Sequence, residues 1–335
     1  MRLIITGSSG QIGTNLALRC VERGHSVLGI DCRPSPWTDA FPCVLADLCV
    51  PFAAAQLPKT GEEWDRPDAI VHLAAHAKVH ELVEQPERAF QNIAMTQNVL
   101  DFCRAVHAPI VFASSREVYG DADRVRTRES DARFDEVTSP YAASKASGET
   151  MVHAYAHAYR MPYLVFRLSN VYGRYDDDLA RMQRVIPLFI ARIARGEPVR
   201  VFGANKVIDF TYIDDCIGGI LTGIERLHAG RLRDSTFNLS YGQGNSLLEA
   251  VELIGHAVRR DPIVIVEPKR AGEVTRYVAD LGAARALLDF EPRVDLKEGI
   301  RRVVDSRFHS ARVAQATPEI SSFALRGSAW IAKSG

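Results

Sequence analysis

The fold of this chain is decided near its start by a glycine-rich run, Thr6-Gly7-Ser8-Ser9-Gly10-Gln11-Ile12-Gly13. An apolar segment precedes the run and an amphipathic one follows it, so it joins a predicted strand to a predicted helix. Glycine at such a turn permits a positive φ, and later glycines let the backbone approach a phosphate and the helix pack on the strand. The free N–H groups of the helix N-terminus then favour a pyrophosphate.

Short apolar runs alternate with amphipathic stretches over the first half of the chain. The pattern predicts strands over residues 3–6, 26–31, 69–73, 109–113 and 164–168, and helices over 11–23, 91–106 and 141–159. This alternation predicts an α/β protein of the Rossmann type, a doubly wound parallel sheet covered on both faces. Ligands of such sheets bind at the carboxyl ends of the strands.

We expect an NAD-binding domain over residues 1–168, with a return segment near 207–228. The pattern loosens after about Ser169, and residues 169–306 are predicted to form mainly a smaller substrate-binding domain. The Ser- and Ala-rich stretch 313–335 is predicted to be a loosely held tail.

Composition excludes several classes of function. In the 335 residues, Lys plus Arg and Asp plus Glu each total 41, so no net charge attracts nucleic acid or an anionic membrane. No apolar run has the length of a membrane span. The six cysteines are scattered without metal-site spacing, and the N-terminus runs directly into a predicted strand, so we expect reduced thiols and a cytoplasmic location.

The second predicted strand ends in a carboxylate. Asp31 stands 18 residues beyond Gly13, where it would accept hydrogen bonds from an adenosine ribose and repel a 2′-phosphate, which favours NAD over NADP. The alternative is an Asp that starts a turn before Pro34. The Gly-x-x-Gly-x-x-Gly spacing resembles that of the short-chain dehydrogenase/reductases. By the same resemblance, further cofactor contacts are expected at Asp47, Leu48, Leu73, Ala74 and Ala75.

A tyrosine and a lysine lie one helical turn apart in the sequence Tyr141-Ala-Ala-Ser-Lys145. A lysine ammonium and the positive nicotinamide ring would both lower the pKa of the phenol, which makes Tyr141 a candidate acid/base. The run Ser114–Gly120, at the end of a predicted strand, supplies a hydroxyl for the substrate oxygen. Without the preceding glycine-rich run, a surface pair would be the simpler interpretation.

The order of these motifs, over about residues 2–306, resembles the extended short-chain dehydrogenase/reductases of the NAD-dependent epimerase/dehydratase family. Besides those already quoted, the matching runs are His72–Ala75, Ser114–Gly120, Arg167–Gly173, Asp209–Asp215 and Arg270–Glu273. The resemblance implies a catalytic Ser115, Tyr141 and Lys145, and a nucleotide-diphosphate sugar held by Asn170 and Arg270. It also implies a homodimer through the helices 91–106 and 141–159.

Two positions depart from the family pattern. Arginine usually precedes the Asp-Phe pair, but Ile208 stands here, so Lys206, Arg174 or another basic residue would have to contact the diphosphate. Arg174 itself follows Tyr172-Gly173, where proline is common in the family.

The resemblance leaves three reactions open, each beginning with oxidation at sugar C4. We favour a 4-epimerase, in which the 4-keto sugar turns over and is reduced on its other face. A 4,6-dehydratase carries Asp-Glu where this chain has Arg116-Glu117, and a UDP-glucuronate decarboxylase would match Glu117. Glu117 is equally compatible with a carboxylate that orients loops. If both side chains face the pocket, Arg116 would favour a uronic acid.

Other signals carry less weight. Histidines at four-residue spacing (His72, His76 and His80, then His153 and His157) lack a third ligand, so no metal is expected. Asp176-Asp177-Asp178 is predicted to be a solvated loop. An NAD-binding sensor or scaffold without activity is the non-enzymatic alternative, but such proteins typically lose the Tyr or the Lys.

Overall fold

The computed structural model describes residues 1–53, 56–58, 64–121 and 124–316. Its strands are β1 (Arg2–Thr6), β2 (Ser26–Asp31), β3 (Cys43–Leu45), β4 (Ala69–His72), β5 (Ile110–Ser115), β6 (Tyr163–Leu168), β7 (Asn170–Tyr172), β8 (Val199–Phe202), β9 (Val207–Tyr212), β10 (Ser235–Leu239), β11 (Gly244–Ser246) and β12 (Val264–Glu267). Its helices are α1 (Gln11–Glu22), α2 (Val79–Glu84), α3 (Glu87–Ala105), α4 (Pro140–Tyr159), α5 (Val185–Arg195), α6 (Ile213–His228), α7 (Leu247–Val258), α8 (Gly282–Leu288) and α9 (Leu296–Ala316).

Seven parallel strands form the central sheet, in the order β10-β6-β5-β4-β1-β2-β3. The order reverses at β1, which lies between β2 and β4, and such a reversal opens a crevice at the carboxyl ends of the strands. The predicted doubly wound α/β fold is therefore confirmed.

Alternate residues of β1 enter different cores. Leu3 and Ile5 pack in the cluster that includes Leu16 of α1, whereas Ile4 packs in the cluster that includes Leu100 of α3. Both faces of the sheet are thus apolar and covered, which explains why its strands are continuous hydrophobic runs in the sequence.

Helix α4, which carries Tyr141 and Lys145, is fixed to the sheet by close packing and by a buried ion pair. A Cβ at Gly148 would lie 2.5 Å from the Phe112 ring, so only glycine allows the helix this close to β5. Glu149, fully buried, accepts two hydrogen bonds from Arg167 of β6, at 2.9 and 2.7 Å, and a third from the Ser114 hydroxyl. These contacts fix the rotation of α4 over the strand ends.

The part after β6 combines a three-stranded sheet, β11-β9-β7, with the two-stranded pair β12-β8. The chain returns to the central sheet through α6 and β10, so the returning segment extends past the predicted 207–228. Of the predicted tail 313–335, residues 313–316 continue α9 and the rest lies outside the described residues.

The predicted element bounds differ slightly from the observed ones. The helix predicted over 91–106 begins four residues earlier, at Glu87, and the strand predicted over 109–113 continues through Ser115. The edge strand β3 was not predicted, because its three residues are too few for a pattern. Among the described helices none is long and apolar enough to cross a membrane.

The buried ion pair gives the first prediction. Arg167→Met should lower the free energy of unfolding by about 3–5 kcal/mol, because it leaves the Glu149 carboxylate buried without its cation. Urea denaturation followed by circular dichroism measures this difference.

Arg133→Met is the control, because its ion pair with Asp135 is exposed and should contribute at most about 1 kcal/mol. Adding Glu149→Leu to Arg167→Met should restore most of the loss, since no unpaired charge then remains. Equal effects of the two single substitutions would contradict this role.

Candidate active site

A cavity of about 760 Å³ opens at the carboxyl ends of the strands. Every predicted site residue except Arg174 lines it: Gly7, Gly10, Gln11, Ile12, Gly13, Asp31, Asp47, Leu48, Leu73, Ala74, Ala75, Ser115, Arg116, Glu117, Tyr141, Lys145, Asn170 and Arg270. The structure therefore brings together residues that are distant in the sequence, since Gly7 and Arg270 line the same cavity.

The glycine-rich loop is packed so closely that side chains would not fit. Gly7 has φ 71°, and a Cβ there would lie 2.7 Å from the amide nitrogen of Ala74. A Cβ at Gly13 would lie 2.2 Å from the Gly7 carbonyl oxygen. These contacts draw the N-terminus of α1 against the end of β1, which is the arrangement that a dinucleotide pyrophosphate requires.

Asp31 lies buried at the end of β2. Its carboxylate accepts the Ser9 amide at 3.0 Å and the Arg33 amide at 3.2 Å. The hydrogen bond from the Arg33 amide is typical of an Asp that starts a turn, so Asp31 also has the turn-starting role that was the alternative interpretation. Because Asp31 also lines the cavity, the turn holds its carboxylate at the position expected for a ribose contact.

Ser115 and Tyr141 are both buried in the cavity wall, close enough for the Ser115 hydroxyl to influence the pKa of the Tyr141 phenol. Burial raises the pKa of Tyr141 to about 12; the Ser115 hydroxyl, Arg184 and Arg116 oppose this shift, while Glu117 adds to it. The cations of the protein alone therefore do not produce the expected low pKa. Tyr141 is a protonated phenol at neutral pH until a further positive charge stands beside it.

Lys145 lies one turn along α4 from Tyr141 and donates to the Ala113 carbonyl at 2.8 Å. Burial lowers the pKa of its ammonium to about 8, with Glu149 opposing the shift. The lysine is thus held toward the end of β5, on the cavity wall, and keeps most of its charge at pH 7.

Arg116 and Glu117 follow Ser115 directly and both line the cavity. The Arg116 guanidinium donates to Asn170 Oδ1 at 2.9 Å and pairs with Glu117 at 2.8 Å. Arg116 Nη1 and Glu117 Oε2 are buried without a hydrogen-bond partner among the described residues. Burial raises the pKa of the Glu117 carboxyl, and Arg116 opposes that shift.

The arginine missing at Ile208 is replaced by a different arrangement of basic residues. Ile208 lies in the cavity wall beside Lys206, whose buried ammonium pairs with Glu273. Arg270 stacks on the Phe202 ring at 3.8 Å and lines the same wall. Positive charge is therefore available for a diphosphate without the usual residue.

Arg174 was predicted as a substrate contact, and the structure corrects this. Its side chain is half exposed and pairs with Asp214 at 2.6 Å, away from the residues that line the cavity. Gly173, at φ 148°, directs the chain so that Arg174 lies on the outer surface beside α6. We do not retain it as a binding residue.

Asp176 also departs from expectation, because it is buried rather than solvated. It accepts from Arg184 at 2.9 Å, and burial raises its pKa to about 6 against the effect of Arg184. No group of three potential metal ligands occurs in the ranges described above.

Arg181, Arg184 and Trp37 are among the cavity residues that the sequence did not indicate. Arg184 also donates to Gln11 of the glycine-rich run, 173 residues away in sequence. No periodicity or motif marks these positions: Trp37 lies in the loop after β2, and the two arginines depend on how the chain folds back after β7. The Val-Ile-Pro that follows Arg184 and begins α5 was the nearest local signal.

Comparison with known proteins matches this geometry. The model of the NAD dependent epimerase/dehydratase family matches residues 3–239. The chain belongs to this family.

Individual relatives span nearly the whole chain. It is 31% identical to a probable UDP-glucuronate 4-epimerase of Rhizobium meliloti (strain 1021), over 95% of this chain and 100% of the relative. It is similar to the UDP-glucose 4-epimerase of Thermus thermophilus solved with NAD, at 28% identity, covering 91% of this chain and 98% of that one, with TM-score 0.79. It is also similar to MoeE5, which was solved with UDP-glucuronic acid and NAD. The identity is 26%, the match covers 92% of this chain and 100% of that one, and the TM-score is 0.80.

The predictions of family, of NAD as cofactor and of a nucleotide-sugar 4-epimerase are confirmed at this level. The family is NAD-dependent, the first two relatives are UDP-sugar 4-epimerases, and MoeE5 is solved with a UDP-sugar and NAD. The glycine contacts, the position of Asp31 and the residues that line the cavity fit the cofactor.

The glycine contacts predict the effect of a single methyl group. Gly13→Ala should weaken NAD binding by about 1–3 kcal/mol, because its Cβ overlaps the Gly7 carbonyl and displaces the loop. That is roughly a ten- to hundredfold increase in the dissociation constant, measurable by titrating NAD into cofactor-free protein.

Gly218→Ala is the matched control, since Gly218 is also helical but a Cβ there meets nothing within 4 Å. It should leave NAD binding unchanged. Unchanged binding in Gly13→Ala would contradict the assignment of the loop.

Proposed function

We propose that this protein is a UDP-glucuronate 4-epimerase: it inverts the configuration at sugar C4 through a 4-keto intermediate, with a retained NAD. The observation that carries the choice of sugar is that two arginines, Arg116 and Arg184, line the same cavity as Tyr141.

The catalytic step follows from the Ser115–Tyr141 pair. A C4 hydroxyl placed between them would accept from Ser115 and donate its proton to Tyr141 Oη as the carbon is oxidised. Bound NAD supplies the hydride acceptor and a positive ring whose charge lowers the pKa of Tyr141. The same Tyr141 proton returns to the oxygen when the ketone is reduced, so one residue serves both halves of the reaction.

The position of the carboxylate in a uronic acid determines where its binding site must be. The C6 carboxylate is attached to C5, the neighbour of C4, so its partner must lie close to Tyr141. Arg184 lines the same cavity as Tyr141 and is held by Asp176 and Gln11. Arg116 lines this cavity too, and its buried Nη1 has a hydrogen to donate for which the described part of the chain offers no acceptor.

The cavity also offers groups that would bind the UDP diphosphate. Arg270 and Lys206 supply positive charge, while Asn170 still has its amide nitrogen to donate because Arg116 occupies only its oxygen. The cavity therefore offers cations for both anionic groups of the substrate, the carboxylate and the diphosphate.

The ion pair between Arg116 and Glu117 argues against the alternatives. A dehydratase or decarboxylase needs a free acid/base group beside the ketone, but Arg116 holds Oε1 of Glu117 at 2.8 Å and favours its charged form, so only Oε2 is without a partner in the described residues. The sensor alternative is disfavoured because Ser115, Tyr141 and Lys145 converge on one cavity wall.

The test is an NMR assay with three substrates: UDP-glucuronate, UDP-glucose and dTDP-glucose. We expect C4 inversion of UDP-glucuronate at the highest kcat/KM. Faster inversion of UDP-glucose would replace the proposed sugar with a neutral one, and release of carbon dioxide or of a 6-deoxy-4-keto sugar would overturn the epimerase assignment.

Arg184→Gln tests the carboxylate contact directly. It should lower kcat/KM for UDP-glucuronate about 10- to 100-fold, the loss of one charge-assisted hydrogen bond, and affect residual turnover of UDP-glucose much less. Arg195→Gln, on the following helix and paired with exposed Glu197, is the control and should change neither.

We also propose a cytoplasmic homodimer formed through α3 and α4. Phe90, with 73% of its surface exposed, begins a stripe on α3 that continues through Ala94, Gln97 and Asp101. Asp101 accepts from Tyr155 of α4 at 2.8 Å, so the stripe runs beside that helix. A second copy of the chain would cover Phe90.

The six free cysteines support the proposed cytoplasmic location, because the cytoplasm keeps thiols reduced.

Phe90→Glu should convert the dimer to a monomer, because it places charge where apolar surface would be buried. Light scattering coupled to size exclusion measures this. Phe134→Glu is the control, since Phe134 is also exposed but lies in the loop before α4 and not on the α3 stripe, and it should remain dimeric. A monomeric wild type would contradict the proposal.

A further inference from the structure

The segment 174–184, between β7 and α5, is connected to the cofactor half of the cavity at several points. Asn15 of α1 donates to the Arg174 carbonyl at 3.2 Å, and Arg184 donates to Gln11. The rings of Tyr175 and Trp37 lie 5.7 Å apart. The segment belongs to the part of the chain that follows β6, yet it packs on the loops after β1 and β2.

Arg181, near the middle of this segment, lines the cavity and differs from the neighbouring arginines in having no anchor. Arg33 pairs with Asp31 and Asp178, and Arg184 pairs with Asp176. The guanidinium of Arg181, by contrast, makes no hydrogen bond or ion pair with any residue in the described part of the chain. A cation without a partner on a cavity wall is free to bind an anion.

Arg181 lines the same cavity as Gly7 and Gln11 of the glycine-rich run. The segment that carries it is joined to that run by the hydrogen bond from Arg184 to Gln11. Burial lowers the pKa of Arg181, and Asp31, at the end of β2, raises it, which agrees with a place in the cofactor half of the cavity.

We propose that Arg181 binds the pyrophosphate of NAD from the substrate-binding side of the cavity, and that the segment 174–184 thereby retains the cofactor between the two halves of the reaction. The glycine-rich loop offers backbone N–H groups but no side-chain cation. Arg181 adds the charge that the loop lacks.

Retention follows from the chemistry of the proposed function, on which this inference rests. An epimerase has no net redox change, so the cofactor that oxidises C4 must still be bound when the ketone is reduced. Loss of the cofactor between these steps would leave the protein inactive and release a keto sugar. A second attachment from another part of the chain slows that loss.

The experiment compares NAD binding by cofactor-free wild type, Arg181→Gln and Arg181→Lys by titration at low and high salt. We expect the dissociation constant for NAD to be about tenfold or more higher in Arg181→Gln than in wild type, and intermediate in Arg181→Lys. The dissociation constant of Arg181→Gln should also depend less on salt than that of wild type. Activity of Arg181→Gln should decline during turnover and be restored by added NAD.

Arg195→Gln is the control and should bind NAD as wild type does. If Arg181→Gln binds NAD with wild-type affinity, the proposal is wrong. It is also wrong if the loss of affinity is matched by a lower melting temperature of the cofactor-free variant, because the substitution would then act on the fold. Because NAD binding is measured without any sugar, this outcome is independent of whether UDP-glucuronate is the substrate.

Discussion

The buried pair of Glu149 and Arg167 is the interaction on which the arrangement of the active site depends. It joins α4 to β6, and through Ser114 it also joins α4 to β5. Tyr141 and Lys145 reach the strand ends only because α4 is held at this rotation. A buried ion pair adds little net stability. It strongly disfavours any other placement of the helix, because that placement would leave one of the two charges buried without its partner. Here it specifies the geometry of the catalytic helix.

Paired charges account for much of the cavity chemistry. Arg116 with Glu117, Lys206 with Glu273 and Arg184 with Asp176 are each held by a carboxylate while facing the same space. The pairing fixes the cations in place before the substrate arrives, which reduces the entropy that binding must overcome. Arg181 is the exception among these arginines. Because its guanidinium has no hydrogen-bond or ion-pair partner among the described residues, we infer that Arg181 binds an anionic ligand rather than stabilising the fold.

The parts that could be predicted from the sequence are those with local causes. Gly7 is required by its positive φ and Gly13 by its contact with the nearby Gly7 carbonyl, while Tyr141 and Lys145 are recognised by their spacing on one helix. Arg181 and Arg184 could not be predicted, because their positions follow from contacts such as that between Arg184 and Gln11, which are distant in sequence. Arg174 was wrongly included for the converse reason: it adjoins a family motif, but Gly173 turns the chain outward.

In the proposed reaction C4 inverts by loss and return of the same hydrogen at a retained cofactor. UDP-glucuronate deuterated at C4 tests this when the product is recovered from ordinary water and its C4 position is read by NMR. We expect the inverted product to keep its deuterium at C4. We expect the same result when labelled substrate is mixed with unlabelled substrate of distinguishable mass. Exchange of the label with water, or its transfer between substrate molecules, would rule out a retained cofactor as the hydride carrier.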